Sequence, residues 1–300
     1  MSTQTPGTAP DSTRIHNIGY RNYEGRRLGR AYVRRSLYSQ SLRGAYGLGR
    51  SAKSKVLPMI LFAVMCLPAA IIVAVAVATK STELPLEYTA YALFTQPVIG
   101  LYLASQAPQS VSRDLRFRTV PLYFSRPLER ADYVLAKYGA MASALFILTA
   151  APLVILYAGA LLAKMDFTDQ TTGLGQSLVS VALMSVLFGG IALVLAALTP
   201  RRGFGVAAII ATLTISSVAV TVIQEIARST DSIDVIKWFG LFSPTTLIDG
   251  VQTAFLGATS GFPGEAGPDA AFGVLYLLVV LAFIAGSYAV LMRRYRKAGL

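Results

Sequence analysis

The sequence predicts an all-α polytopic membrane protein with six spanning helices, and three observations carry that prediction. Hydrophobic residues make up 54% of the 300-residue chain and charged residues only 14%, where soluble domains are about a quarter charged. The apolar residues gather into runs of about 20, the length a helix needs to cross about 30 Å of hydrocarbon. The basic residues collect beside alternate runs. A net charge of +12 would point a soluble chain toward nucleic acid. Set between runs too long for a globular core, it points to a membrane surface, and no nucleic-acid partner is expected.

In chain order, residues 1–13 are rich in Ser, Thr and Pro and read as a disordered tail. Residues 14–55 form a leader with eleven basic residues and one acidic residue, Glu24. Within it Leu28, Tyr32, Tyr38, Leu42 and Tyr46 recur at helical spacing, with Arg26, Arg27, Arg30, Arg34 and Arg43 mostly off that stripe. This is the pattern of a basic amphipathic helix at the headgroup level, with membrane lipids as one partner. Residues 56–300 are one transmembrane domain, with spans at 57–78, 88–108, 138–163, 174–199, 204–224 and 271–292. Pro58, Pro68, Pro97 and Pro152 fall inside spans, which membrane helices tolerate. Between spans five and six, two shorter apolar stretches split at Ser243-Pro244 read as an external helical hairpin. Trp238 and Phe239 are expected at headgroup level there, and Asp231, Asp234 and Asp249 on the non-cytoplasmic side. Counted between spans, 23 Lys and Arg fall on one side and only Lys80, Lys164, Arg228 and Lys237 on the other. Positive-inside then puts both termini in the cytoplasm.

Within the six spans no Asp, Glu, Lys, Arg or His occurs, which argues against proton- or ion-coupled transport. No phosphate-binding Gly-x-x-x-x-Gly-Lys-Ser/Thr loop is present, nor a set of paired carboxylates or Ser, His and Asp for hydrolysis. The lone Cys66 reads as a small buried hydrophobe, and Met59 and Met65 beside it as core. His16 has no His or Cys neighbour, so no metal site is expected.

The stretch between spans two and three, SVSRDLRFRTVPLYFSRPLERADYVLAK over 110–137, is too long and too patterned for a passive connector. It resembles the cytoplasmic segment of type-two ABC-transporter permeases, the six-helix membrane subunits of ATP-driven exporters. Their pattern runs from an acidic residue through Gly-Thr-Leu and Ser-x-Pro to a basic residue and an apolar run ending in Gly-Lys. Asp114, Thr119, Ser125, Pro127, Arg130 and Lys137 fall at matching places, while Arg118 stands for the first Gly and Ala136 for the second. The overall layout, from basic leader to external hairpin, is similar too.

The resemblance implies a transport subunit, not an enzyme, in a bacterial plasma membrane. ATP and Mg would be bound by separate ATPase subunits, and a second permease copy or a related permease would complete the path. Ser110, Val111, Arg113, Asp114, Leu115, Arg116, Arg118 and Thr119 would form the helix that couples to the ATPase. The leader arginines Arg26, Arg27, Arg30, Arg34 and Arg43 would be a second contact. Spans two and five would line the path, with Tyr91, Phe94, Thr95, Gln96, Tyr102, Thr212 and Ser216 as candidates for an amphipathic or apolar cargo. Two other classes stay open: an ATP-independent channel or lipid scramblase, and a membrane scaffold. Small residues Ala70, Ala74 and Ala78 on span one offer a close-packing face.

Overall fold

The computed structural model describes residues 19, 25, 28–49, 51–81, 83–117, 123, 128–199, 201–265 and 267–298. Among them the structure is helical, with no strand. The leader helix α1 (Arg30–Ala45) turns into α2 (Ala52–Thr79). Two short helices follow, α3 (Tyr88–Phe94) and α4 (Gln96–Ala107), then a π-helical turn (Pro108–Ser112) and α5 (Arg113–Arg116). The long helices α6 (Arg130–Leu162) and α7 (Phe167–Leu198) come next. After them α8 (Arg202–Ile210), a second π turn (Ala211–Ile215) and α9 (Ser216–Ser229) form one rod. The chain ends with α10 (Ile233–Phe239), α11 (Pro244–Phe255) and α12 (Ala270–Ala298).

Five helices are long and apolar enough to cross a membrane: Ala52–Thr79, Arg130–Leu162, Phe167–Leu198, Gly203–Ser229 and Ala270–Lys297. They match five of the six predicted spans. The predicted second span, 88–108, is divided: α3 ends at Thr95 and α4 restarts with Pro97 in its first turn. A proline there cannot donate to the preceding turn, and its ring disfavours helical backbone just before it.

α6 and α7 are the centre. α2 and α1 pack on α6, and α12 packs on α7. In the apolar window of α7, 67% of residues are buried, against 17% in the α8–α9 rod, which sits at the margin. α6 has 33 residues, roughly 50 Å of helix, so it outruns the hydrocarbon by several turns. That is why it starts at Arg130, eight positions ahead of the apolar run, on a capping box made by Glu129 and Asp132.

In a low-dielectric interior the last carbonyls of each helix need donors. At α1, α7 and α10 side chains from elsewhere in the bundle supply them. Tyr102 Oη donates to the Ala45 carbonyl of α1 at 3.3 Å. Ser112 Oγ and Arg294 Nε donate to Ala196 and Ala197 at the end of α7. Gln224 Nε2 and Tyr276 Oη donate to Ile236 and Lys237 of α10. Tyr138 reaches Val186 and Tyr91 reaches Met65 in the same way, so tyrosines tie the bundle together.

These contacts sort the helix ends. The start of α2, the end of α4, the start of α6 and the ends of α7 and α12 lie together with α1. The end of α2, the start of α3, the turn from α6 to α7, and the α10–α11 pair lie at the far end. There Glu87 accepts from Thr259 and Tyr88 donates to Gln170. The stretch read as a hairpin holds two short helices, α10 and α11, separated at Ser243: Ser243 Oγ caps α11 at Thr245 N–H, with Pro244 in the first helical position. Trp238 is exposed and stacks edge-on against Phe272, while Phe239 is half-buried. Asp231 and Asp234 are exposed, but Asp249 is buried.

Candidate functional site

Residues 110–116 of the 110–137 segment continue α4, running without a break through the π turn into α5. Val111 is buried and Leu115 half-buried against the core, which fixes the inward face of this extension. Asp114 is the pivot. Its Oδ2 lies 3.1 Å from Lys137 Nζ and accepts from Tyr133 Oη at 2.5 Å. Lys137 also donates to the Ser110 carbonyl at 2.9 Å and sits over the Tyr133 ring. The two charged side chains are mostly enclosed, at 12% and 16% exposure. Tyr133 packs in turn on Tyr123 and on Tyr295 of α12, with ring centroids 5.4 and 4.9 Å apart. The two outer members of the predicted motif, Asp114 and Lys137, thus clamp the end of α4 and α5 to the first turns of α6.

Arg116 and Phe117 are exposed beyond the clamp, the guanidinium lying over the ring at 5.8 Å. A cavity of about 280 Å³ lies behind them between α1, the π turn and α6, lined by Gln40, Gln106, Gln109 and Asp114 among others. Arg113 opens α5. Arg118, Thr119, Ser125 and Pro127 lie outside the described residues, as do Arg26 and Arg27 of the leader.

The leader is built differently from its predicted stripe. Its helix begins at Arg30, and Leu28 and Tyr32 are exposed. The buried face is set by Leu37, Ala45 and Tyr46, with Val33, Tyr38 and Leu42 packed beside them. Tyr38, Leu42 and Tyr46 of the predicted stripe meet the core, whereas Leu28 precedes the helix and Tyr32 points outward, so Val33 and Leu37 complete the docked face instead. Tyr38 donates to Ser143 Oγ at 2.8 Å and Tyr46 to the Ala144 carbonyl at 2.6 Å. Arg30 bonds Asp132 and Glu129, the latter at 2.8 Å through its second nitrogen, and Arg34 lies 3.7 Å from Asp132. The hydrogen bond to Asp132 is the main cause that raises the Arg30 pKa above its ordinary value. Arg30 and Arg34 therefore pin α1 to the cap of α6. Arg43 is exposed.

Of the predicted path residues, Tyr91, Thr95 and Tyr102 are buried in the chain's own interior. Tyr91 and Tyr102 bond neighbouring helices, and Thr95 Oγ1 donates to the Tyr91 carbonyl at 3.0 Å. Gln96 Nε2 donates to the Leu213 carbonyl in the second π turn at 3.0 Å, joining α4 to the α8–α9 rod. Ser216 donates to the Thr212 carbonyl, and both are half-buried. Phe94 is exposed, as are Thr214 and Thr221 of the rod, which no motif singles out from their neighbours. Ala70, Ala74 and Ala78 face out of the bundle; the buried stripe of α2 is Leu61, Met65, Ala69 and Ala76. Among the described residues no three His, Cys, Asp or Glu converge as a metal site. No protein-family model matches the sequence, and no curated protein matches it either.

Proposed function

We propose that this chain is the membrane-spanning subunit of an ATP-driven exporter, coupled to a separate ATPase. The observation that carries the reading is the clamped extension of α4. A helix that leaves the membrane, is braced by Asp114, Lys137 and Tyr133, and presents Arg116 and Phe117 at its tip is a short lever. Force on the tip passes directly into α4 and α6. The resemblance of residues 113–137 to type-two permeases names the class. In this reading α3 and α4 together make a sixth crossing, about 30 Å of helix bent at Thr95. Both termini then share the cytoplasmic side, where 16 described Lys and Arg, from Arg30 to Lys297, gather.

The cargo path would form between two copies, or between this chain and a relative. Phe94 on α3, and Thr214 and Thr221 set among exposed Ile215, Val218 and Val222 on the α8–α9 rod, offer an uncharged and mostly apolar outer surface. That surface suits an amphipathic or apolar cargo. The outward alanines of α2 would let the second subunit approach closely.

Gentle purification from native membranes with mass spectrometry of the co-purifying proteins tests the proposal. A stoichiometric soluble ATPase is expected, and Arg116→Ala with Phe117→Ala should lower its recovery about tenfold while leaving the thermal midpoint unchanged. Lys137→Met should lower the thermal midpoint as well, because Asp114 loses its cation. Recovery of the chain alone from several mild detergents would reject ATP coupling, and passive ion or lipid flux through the purified protein would then be the reading to pursue.

A further inference from the structure

The exposed face of α1 carries two arginines that the fold does not use. Arg30 and Arg34 are engaged by Glu129 and Asp132. Arg35 and Arg43 stand two turns apart on another face, both exposed, and among the described residues no carboxylate lies within ion-pair distance of either. Between them runs a groove of about 540 Å³ that also takes in Ser36 and Ser39 and has Tyr32 and Leu48 at its rims. Its lining holds no acidic residue.

The depth of this groove is fixed by the other side of the same helix. Tyr38 and Tyr46 bond Ser143 and Ala144, within the first turns of the apolar run of α6. The chain then turns at Gly47 and Gly49 straight into α2, whose first turn holds exposed Lys53 and Lys55. Two guanidines, two hydroxyls, a tyrosine and a leucine thus line one groove beside the start of the apolar run of α6. A phosphodiester at that level would accept from the guanidinium and hydroxyl donors, and its glycerol and acyl ends would lie against Tyr32 and Leu48.

We propose that the Arg35–Arg43 groove is a binding site for the headgroup of an anionic phospholipid in the adjoining leaflet. The site depends on membrane embedding and not on the transport reading, so either can fail alone. Charge complementarity selects the occupant: two guanidines without a carboxylate partner among the described residues, in a groove with no acidic lining, suit a negatively charged headgroup. An acidic face of a partner protein is the competing occupant.

The full-length protein in neutral detergent, titrated with phosphatidylglycerol or phosphatidylcholine and read by native mass spectrometry, tests the site. Preferential retention of phosphatidylglycerol is expected. Arg35→Ala with Arg43→Ala should weaken it about thirtyfold, from the usual contribution of two surface cations. Ser36→Asp changes one exposed side chain, leaves the docked face untouched and should lower retention likewise. Arg293→Ala, exposed near the end of α12 and outside the groove, should leave lipid retention unchanged. Equal retention of the two lipids, undiminished retention in both groove variants, or displacement by millimolar inorganic phosphate would overturn the proposal. So would loss of a co-purifying protein in the groove variants with lipid retention intact.

Discussion

Asp249 is a carboxylate taken almost wholly out of water, and its surroundings decide what it costs to keep there. It is 4% exposed. Its two oxygens accept from Gln252 Nε2 at 3.1 Å and Gly261 N–H at 3.0 Å, and Gln252 passes the link to Ser180 of α7. Burial pushes its pKa from an ordinary 3.8 up to about 6, with the two hydrogen bonds acting the other way. A carboxyl raised in the folded state is protonated there at pH values where the unfolded chain has already lost the proton. Its effect on stability is therefore most favourable below pH 4 and falls as pH rises to about 6, by roughly 3 kcal/mol. Thermal unfolding of the purified protein should show this decline, and Asp249→Asn should flatten it. An unchanged slope in the variant would assign the pH dependence to other groups.

Asp114 shows how much of a site can be legible in the sequence. An acidic residue and a lysine 23 positions apart stand out by their place in a pattern, and the fold brings them to 3.1 Å. Tyr133 and Tyr295 have no such mark. They meet across 162 positions of chain, and no local spacing records such a contact. Buried tyrosines that donate to carbonyls of other helices are equally silent, because a tyrosine in an apolar run looks the same whether its hydroxyl finds a partner or an interface. This is why Tyr91 and Tyr102, expected along a path, are structural ties within one chain.

Element boundaries follow a different logic. The apolar runs report the hydrocarbon-crossing part of each helix, and the polar turns beyond it leave no apolar trace. α7 starts at Phe167, well before its apolar run, on an Asp166 cap that receives Thr168 and Asp169 N–H. The leader stripe holds at Tyr38, Leu42 and Tyr46 and fails at Leu28 and Tyr32 for a related reason: several rotations of a helix with scattered aromatics look amphipathic, and only the partner surface selects one.

Close packing of elements also rests on single positions. At Gly159 of α6 an added Cβ would lie 2.2 Å from Val73 Cγ2 on α2, too close for any contact. A valine in a helix has little χ1 freedom with which to retreat. Gly159→Ala should cost about 2 kcal/mol by overpacking, read as a lower thermal midpoint, and Val73→Ala in the same protein should recover most of it. Failure of that rescue would place the strain elsewhere. Gly47 holds the turn between α1 and α2 at φ +68°, with the Ser54 carbonyl 2.3 Å from where a Cβ would be, so the leader meets the first span through a glycine-only joint.

The whole molecule is polarised. One end holds α1, the α4–α5 extension and the basic termini of α6 and α12; the other holds the α10–α11 pair with Asp231, Asp234 and, among the described residues, only Lys80, Lys164, Arg228 and Lys237 as bases. The proposed six crossings would put Arg43 and Arg296 on one side of the membrane and Asp231 on the other. In a Cys66→Ala background, Arg43→Cys and Arg296→Cys should react with an impermeant maleimide from the same face, and Asp231→Cys from the opposite face. Labelling of Arg43→Cys and Arg296→Cys from opposite faces would mean that α3 and α4 do not cross.

Trp238 is the only tryptophan in the chain, and it lies exposed on α10, at the end remote from both the lever and the arginine groove. Ultraviolet emission excited at the indole band is therefore a signal from a single address. Brominated lipids would quench it according to the depth of that one ring. Any spectral change on adding nucleotide, partner or headgroup at the basic end would report a movement carried along the full length of the bundle.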